Sequence, residues 1–496
     1  MDFTVSLWIL IIFLYVALCY AVGRLAVDLL DPAPAPTIVA GAALVGAALL
    51  GLQLWLYGLV RIPWNQLTLL IPWLAIGAVR RDRLPTLVRQ ERQRFAGLAR
   101  MLPRLSGLEA VLVAAGTMVV LAYLLSLVAK PLFGFDAIAL WLFKAKLYYG
   151  QQSVSLQAVS HDVGRNLDYP PLLSLMVASL YTLIGQANDL LGKAVTFIFV
   201  LVGAAASLTA LGRWLDRPLA ITFTFVLVAM PMFAPALLTG PYFGYADYPL
   251  GIFMMLSLLF FFEGQTTRRA TSYLFAVVFA ALAALTKNEG LPLLAIVLVL
   301  LAIHLGVTGQ LRSPQRRHWP ILTVGLLAIV PVIAWRLYVS LAGLEISPQV
   351  SFAQPVSQLP ARASTIVRFV LGLPRIMTIG SVDGDRPISY VDIQWLGLSF
   401  LLSGLLLAVN RFRTGSLVYA AIALQAAGYF LVLLFTPLDL LFQLSTAASR
   451  LLIQLAPSVV LMLGIALSPF TAARSIGDSG RNSLVTDHAP APTAAP

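Results

Sequence analysis

Long apolar runs recur along the whole chain, near residues 4–22, 37–60, 64–79, 107–129, 190–211, 218–238, 248–262, 272–286, 290–306, 319–340, 391–409, 416–435 and 451–469. Crossing a hydrocarbon layer of ~30 Å takes a helix of about 20 apolar residues, and most of these runs come close to that length. Inside lipid every backbone N–H and C=O has to be bonded within the protein, so such runs are expected to be helices. The expected fold class is an all-α polytopic membrane protein with about 13 transmembrane helices, the N-terminus outside and the C-terminus inside.

One further apolar stretch decides the topology. Residues 170–185, PPLLSLMVASLYTLIG, are short for a span. Placed instead as an interfacial helix on the outer surface, with Pro170 and Pro171 in its first turn, they let the arginines of every later short loop fall on one side. These are Arg213 and Arg217, then Arg268 and Arg269, then Arg312, Arg316 and Arg317, then Arg411 and Arg413. That pattern marks the cytoplasmic side. The densest block, RRDRLPTLVRQERQRFAGLARMLPR (80–104), carries eight arginines, is expected to be cytoplasmic and suits an interfacial helix. A second external stretch, STIVRFVLGLPRIM, is also expected to be interfacial.

Composition narrows the classes. The chain is 59% hydrophobic and 11% charged, against about 25% charged in soluble domains, which excludes a large soluble core. A single cysteine, Cys19, rules out an intrachain disulfide and a thiolate metal site. The net charge of +12 comes mainly from loop arginines and not from a basic domain, so no nucleic-acid partner is expected. The first run lacks a basic leader segment and reads as a retained span. Four regions follow: 1–106, three spans with the Arg-rich loop; 107–340, a transmembrane module with an external loop at 131–189; 341–469, an external loop at 341–390 plus the C-terminal spans; and 470–496, a disordered cytoplasmic tail ending APAPTAAP.

Charge reappears between Phe133 and Leu172, where Asp136, Asp162, Asp168, Lys144, Lys146, His161 and Arg165 crowd among aromatic residues. Ionisable groups beside membrane spans point to function. All five lysines (Lys130, Lys144, Lys146, Lys193 and Lys287) fall on or near the outer side. They are either snorkelling side chains or a cationic site for an anionic substrate. Lys287, in TKNEG, needs a partner at its depth, either Glu289 or a bound phosphate. Asp136 (GFDAIALW) and Asp247 (GYADYPLG) each open an apolar helix, so each is a helix cap or a functional acid. Together they are candidates to hold a divalent cation, Mg2+ or Mn2+, through oxygen ligands. His161 reads most simply as a solvated loop histidine. No phosphate-binding glycine loop, dinucleotide fingerprint, His/Cys zinc cluster or serine-hydrolase elbow is present.

The segments FGFDAIALWLFKAKLYYG, LDYPPLLSLMVASLYTLIG, GYADYPLGIFMM and ALTKNEGLPLL, in that order, resemble the GT-C superfamily of membrane glycosyltransferases. The branch most similar contains protein O-mannosyltransferases and lipid A aminoarabinose transferases. The resemblance covers roughly 107–310. It implies a polyprenyl-phosphate-linked sugar donor and a lipid, glycan or protein acceptor. It also implies inversion at the anomeric carbon and an active site on the extracytoplasmic face of the inner (plasma) membrane. Asp136 matches the acidic residue of the first loop, which implies a base or acceptor-positioning role, and Asp247 matches that of the second. A three-span region precedes the module that holds the first acidic loop, more spans than many members have there, and Ala137 follows Asp136 in place of a second acid. Lys144, Lys146, Asp168, Lys193, Lys287, Glu289, Arg336 and Arg450 are the expected substrate-binding residues, the cations neutralising the leaving lipid phosphate. A transporter or flippase for an anionic lipid or sugar is the alternative, and it would place ionisable groups near mid-bilayer on broken helices.

Overall fold

The computed structural model describes residues 3–132, 134–156, 166–230, 244–309, 319–344, 356–370, 390–411 and 413–485. Among these the chain is helical, with no strand. Among the described residues nine helices are long and apolar enough to cross a membrane, and five shorter apolar helices accompany them. The protein is a polytopic α-helical membrane protein.

The first pair shows how its helices pack. Helix α1 (Phe3–Leu30) lies against α2 (Ala42–Val60) with backbones almost touching. A Cβ on Gly23 would sit 1.8 Å from the Ala42 carbonyl oxygen, and one on Gly46 would sit 1.8 Å from that of Cys19. Lipid gives helices no hydrophobic drive to associate, so close approach at small residues supplies the contact. The apolar run at 37–60 is thereby broken: Pro36–Ala40 forms a separate turn, and α2 starts after Gly41.

Helix α3 (Gln66–Val79) begins at a reciprocal Asn65–Thr68 cap, α4 (Leu84–Met101) carries the Arg-rich block, and α5 (Gly107–Ala129) begins at a Ser106–Glu109 cap. A π-helical turn, Ala137–Trp141, then leads into α6 (Leu142–Gln151). Helix α7 (Leu172–Ile184) corrects the expectation of an amphipathic surface helix: residues Leu172 to Thr182 are buried on every side. Its 13 residues reach only about 20 Å, so it sinks into the bundle without crossing it. It packs against α2, where the Gly51 backbone meets Leu175 and Met176.

The centre is α10 (Asp247–Thr267), buried continuously from Asp247 to Gly264. Before it come α8 (Ala194–Leu211) and α9 (Arg217–Ala229); the end of the run expected at 218–238 lies outside the described residues. After it come α11 (Ala270–Thr286), α12 (Gly290–Val307) and α13 (Trp319–Leu341). Phe253, Phe260, Phe275 and Phe279 interlock α10 with α11. Helix α14 (Leu359–Val370) is tied down by Arg362, which donates to the carbonyls of Leu433, Leu434 and Thr436. These are the open carbonyls at the C-terminal end of α16 (Arg413–Phe435), which follows α15 (Tyr390–Asn410). Helix α17 begins at Ser449 and runs to Val485, past residue 470, where disorder was expected.

Candidate functional site

Three helix ends meet at one edge of the bundle: the start of α10, the α11–α12 turn and the start of α17. Each brings charge to the same point. Arg450 joins two carboxylates separated by 111 positions: its Nη2 lies 2.5 Å from Asp136 Oδ2 and 2.8 Å from Asp247 Oδ2, and its Nε donates to the same Asp247 oxygen at 2.8 Å. The other Asp247 oxygen accepts from Lys287 Nζ at 2.8 Å and Gln454 Nε2 at 2.6 Å. Lys287 also contacts Glu289 Oε1 at 2.7 Å.

Exposure separates the two acids. The Asp247 side chain is 1% exposed and has donors on both oxygens, whereas Asp136 and Arg450 are 15% and 20% exposed. Neither acid is a helix cap, since neither side chain bonds a free N–H at its helix start. Asp136 instead precedes the Ala137–Trp141 π-turn, and Arg450 follows a second π-turn, Leu444–Ala448. Such turns re-aim the adjoining side chains and are frequent at functional sites. The two residues that meet at the open edge of the network each adjoin one.

Aromatic rings and amides complete the wall. Arg450 lies over the Tyr245 ring at 5.1 Å, and Lys287 lies 5.9 Å from the centre of the Tyr169 ring. Tyr169 stacks on Trp141. Tyr429 donates to Gln454 Oε1 at 2.6 Å, and Gln425 donates to the Glu289 carbonyl at 2.9 Å. Burial pulls the Lys287 ammonium pKa down, but Asp247 and Glu289 outweigh it and hold the group above lysine's ordinary value.

Asp168 sits beside this network. One of its carboxylate oxygens accepts from Asn288 at 2.7 Å, and its carbonyl accepts from the Trp335 indole at 3.0 Å.

The expected lysine belt is corrected. Lys144 is buried, and its Nζ donates to the backbone carbonyls of Asn166, Leu167 and Tyr169 at 3.0–3.1 Å, so it fastens the loop and offers nothing to a ligand. Burial pushes its amine down to about 7, with Asp168 opposing. Lys193 is buried and donates to the Lys130 carbonyl at 2.5 Å. Lys146 forms an exposed pair with Asp189 at 2.7 Å. Lys287 alone of these joins the acids. His161, Asp162, Arg165, Tyr242, Phe243 and Asp383 lie outside the described residues.

The pair Asp136 and Asp247 does not fit a divalent cation as arranged. A guanidinium already occupies the position between them. Among the described residues no three His, Cys, Asp or Glu side chains gather as ligands, whereas hard cations take about six or more oxygens.

Gln454, Gln425, Tyr429 and Asn288 were not singled out from the sequence. A signal was there for three of them: Arg450/Gln454 and Gln425/Tyr429 are polar pairs at i, i+4 in otherwise apolar helices, which puts each pair on one face.

No family model matches the chain, and no curated protein matches it. Two solved structures are similar in shape. One is ArnT from Cupriavidus metallidurans bound to undecaprenyl phosphate, at 17% identity and a TM-score of 0.47, covering 76% of this chain and 64% of that one. The other is the same protein in the apo state, at 18% identity and a TM-score of 0.48, covering 75% and 62%. This chain thus spans less than two thirds of the length of the proteins it matches.

Proposed function

We propose that this chain is an integral membrane glycosyltransferase of GT-C type. It moves a sugar from a polyprenyl-phosphate donor to a lipid, glycan or protein acceptor on the extracytoplasmic face of the inner membrane, with inversion. The observation that carries the reading is the sharing of Arg450 between a partly exposed acid, Asp136, and a buried one, Asp247.

The reaction breaks the bond from the anomeric carbon to the phosphate oxygen and forms one to the acceptor oxygen. It releases polyprenyl phosphate and one proton. Inversion in one displacement needs a base for the acceptor hydroxyl and a cation for the departing phosphate. Asp136 and Arg450 are those two groups, and they are in contact before substrate arrives. A donor phosphate competes with Asp136 for the guanidinium, and as Arg450 turns to it the Asp136 carboxylate is released to accept the proton. Asp247, Lys287 and Gln454 are positioning residues that fix Arg450 and the helix ends beneath it. Tyr245 and Tyr169, both buried, hold Arg450 and Lys287 over their rings and help fix the two cations.

The cluster lies at helix ends and not along mid-span segments, which favours surface chemistry over the transporter reading. The test combines purified protein, a polyprenyl-phosphate-linked sugar and candidate acceptors, with products read by mass spectrometry. Glycosylated acceptor and free polyprenyl phosphate are expected. Movement of labelled lipid across vesicles with no product would favour the transporter. Sidedness is tested in a Cys19→Ala background: an impermeant thiol reagent should reach Ser160→Cys from outside and Asp82→Cys only from inside.

A further inference from the structure

Helix α4 stands at the far end of α5 from Asp136, a separation of about 35 Å along that 23-residue helix. Its three sides have different chemistry. One edge is fastened to α1: Glu91 accepts from Tyr20 at 2.7 Å, Arg24 Nε at 3.2 Å and Arg94 at 3.1 Å, Gln90 accepts from Arg24 Nη2 at 2.7 Å, and Leu87 is buried. A second side exposes Leu84, Val88, Phe95, Leu98 and the adjoining Leu102, with Phe95 69% exposed. Their spacing of four, seven, three and four residues is one helical stripe, bordered in its middle by Glu91, which turns to α1. On the third side Arg89, Arg92 and Arg100 are exposed, with Arg81 and Arg104 at the two ends. Among the described residues none of these five side chains has an acidic partner; Arg80, Arg83 and Arg94 are the ones taken by Asp28 and Glu91.

We propose that α4 lies in the plane of the membrane surface, its apolar stripe among the acyl chains and its five free arginines on the phosphates of anionic lipids. Two arguments select a lipid leaflet as the occupant. The helices joined to α4 at either end expose apolar side chains as well, Leu74 and Val79 on α3 and Leu108 and Val111 on α5. Guanidinium forks match phosphate oxygens, and each basic residue held near an anionic surface favours it about fivefold. A soluble polyanion would cover the arginines and leave the stripe in water; a leaflet of anionic lipid covers both. Held to α1 by Arg24 and Tyr20, the helix cannot turn away, so the surface it presents is fixed.

The test uses the full chain in nanodiscs, as Cys19→Ala with Phe95→Cys carrying an environment-sensitive fluorophore. Brominated phosphatidylglycerol and brominated phosphatidylcholine are compared as quenchers at equal mole fraction. Quenching by both is expected, at least about threefold stronger for the glycerol lipid and weakened by high salt. Changing Arg81, Arg89, Arg92, Arg100 and Arg104 together to Gln should remove the preference and keep the quenching by phosphatidylcholine. Absence of quenching by either lipid would overturn the in-plane placement. Equal quenching of the parent by both would overturn the headgroup assignment. A second readout is the lipid retained by detergent-purified protein: its glycerol-to-choline lipid ratio should fall at least about threefold in the five-arginine variant, and an unchanged ratio would sink the proposal even if that variant were less stable. Neither readout involves sugar transfer, so the result stands apart from the enzyme assignment.

Discussion

Asp136→Asn and Asp247→Asn remove the same charge from the same network and should fail in opposite ways. At 247 one carboxylate oxygen takes two bonds from Arg450 and the other takes Lys287 and Gln454. An asparagine has one oxygen, so its NH2 must face a donor whichever way it is turned. Lys287 keeps Glu289 and Arg450 keeps Asp136, so neither cation is orphaned. The loss then falls near the lower end of the range for breaking a buried pair, about 3 kcal/mol. At 136 the side chain is partly solvated and Arg450 retains Asp247, so the stability cost is about 1 kcal/mol or less. Transfer, by contrast, should fall 10²–10⁴-fold, or about 2.7–5.5 kcal/mol of barrier, when the base is lost. Both variants are purified in detergent, then compared by thermal unfolding and by release of polyprenyl phosphate. Turnover by Asp136→Asn within about tenfold of wild type would refute the base assignment. An Asp247→Asn protein as stable as the parent would refute its anchoring role.

Three further outcomes follow from the geometry. Lys144→Met leaves the Leu167 and Tyr169 carbonyls without their donor, while Asn166 keeps the Tyr169 N–H, and should cost about 2–3 kcal/mol in unfolding experiments, with no change in affinity for the sugar donor beyond that lost to misfolding. Gly46→Val puts a branched side chain into the Cys19 backbone and should abolish the monodisperse peak in size-exclusion chromatography, whereas Gly77→Ala, at a glycine with nothing near its Cβ position, should leave it intact. A chelator should leave the transfer rate within about twofold, because Arg450 supplies the charge placed between the acids; loss of activity restored by Mg2+ or Mn2+ would show that a cation displaces it.

The apolar helices were legible because lipid imposes one rule, length and apolarity, on each segment independently of its neighbours; the expected count of about 13 spans compares with nine full-length ones among the described residues. Asp136, Asp247, Lys287, Glu289 and Arg450 were legible for a related reason: a charge is too costly at the end of an apolar run to be there without partners. Which partner each cation takes was not. Lys144 and Lys193 were expected to meet phosphate, yet both are used by backbone carbonyls that no helix satisfies. Irregular segments packed inside a membrane bundle leave such carbonyls open, and a nearby lysine is the cheapest donor. Sequence shows the lysine but not the carbonyls it faces. The burial of α7 was illegible likewise: Leu172–Ile184 is apolar enough for either place, and the shape of α2 at Gly51 decides.

The depth of each member of the network assigns its role. Asp247, Lys287 and Gln454 are sealed in, and together they join α10, the α11–α12 turn and α17. Three carboxylates, Asp136, Asp247 and Glu289, face two cations, Lys287 and Arg450, so the cluster as it stands already has more negative than positive charge. A phosphate added to an unchanged cluster would be repelled. It binds favourably only if a carboxylate gives up its cation, and the one that can do so without being stranded in a dry interior is Asp136, at the exposed edge. On the proposed function, the same exchange would admit the anionic donor and free Asp136 as the base. Donor binding should then weaken steeply when Asp247 is lost, because Arg450 is no longer held where it can make the exchange, and should strengthen when Asp136 is replaced by Asn, because the competitor for Arg450 is gone. Equal loss of donor affinity in the two variants, measured with a non-transferable polyprenyl phosphate, would mean that Arg450 does not move between them.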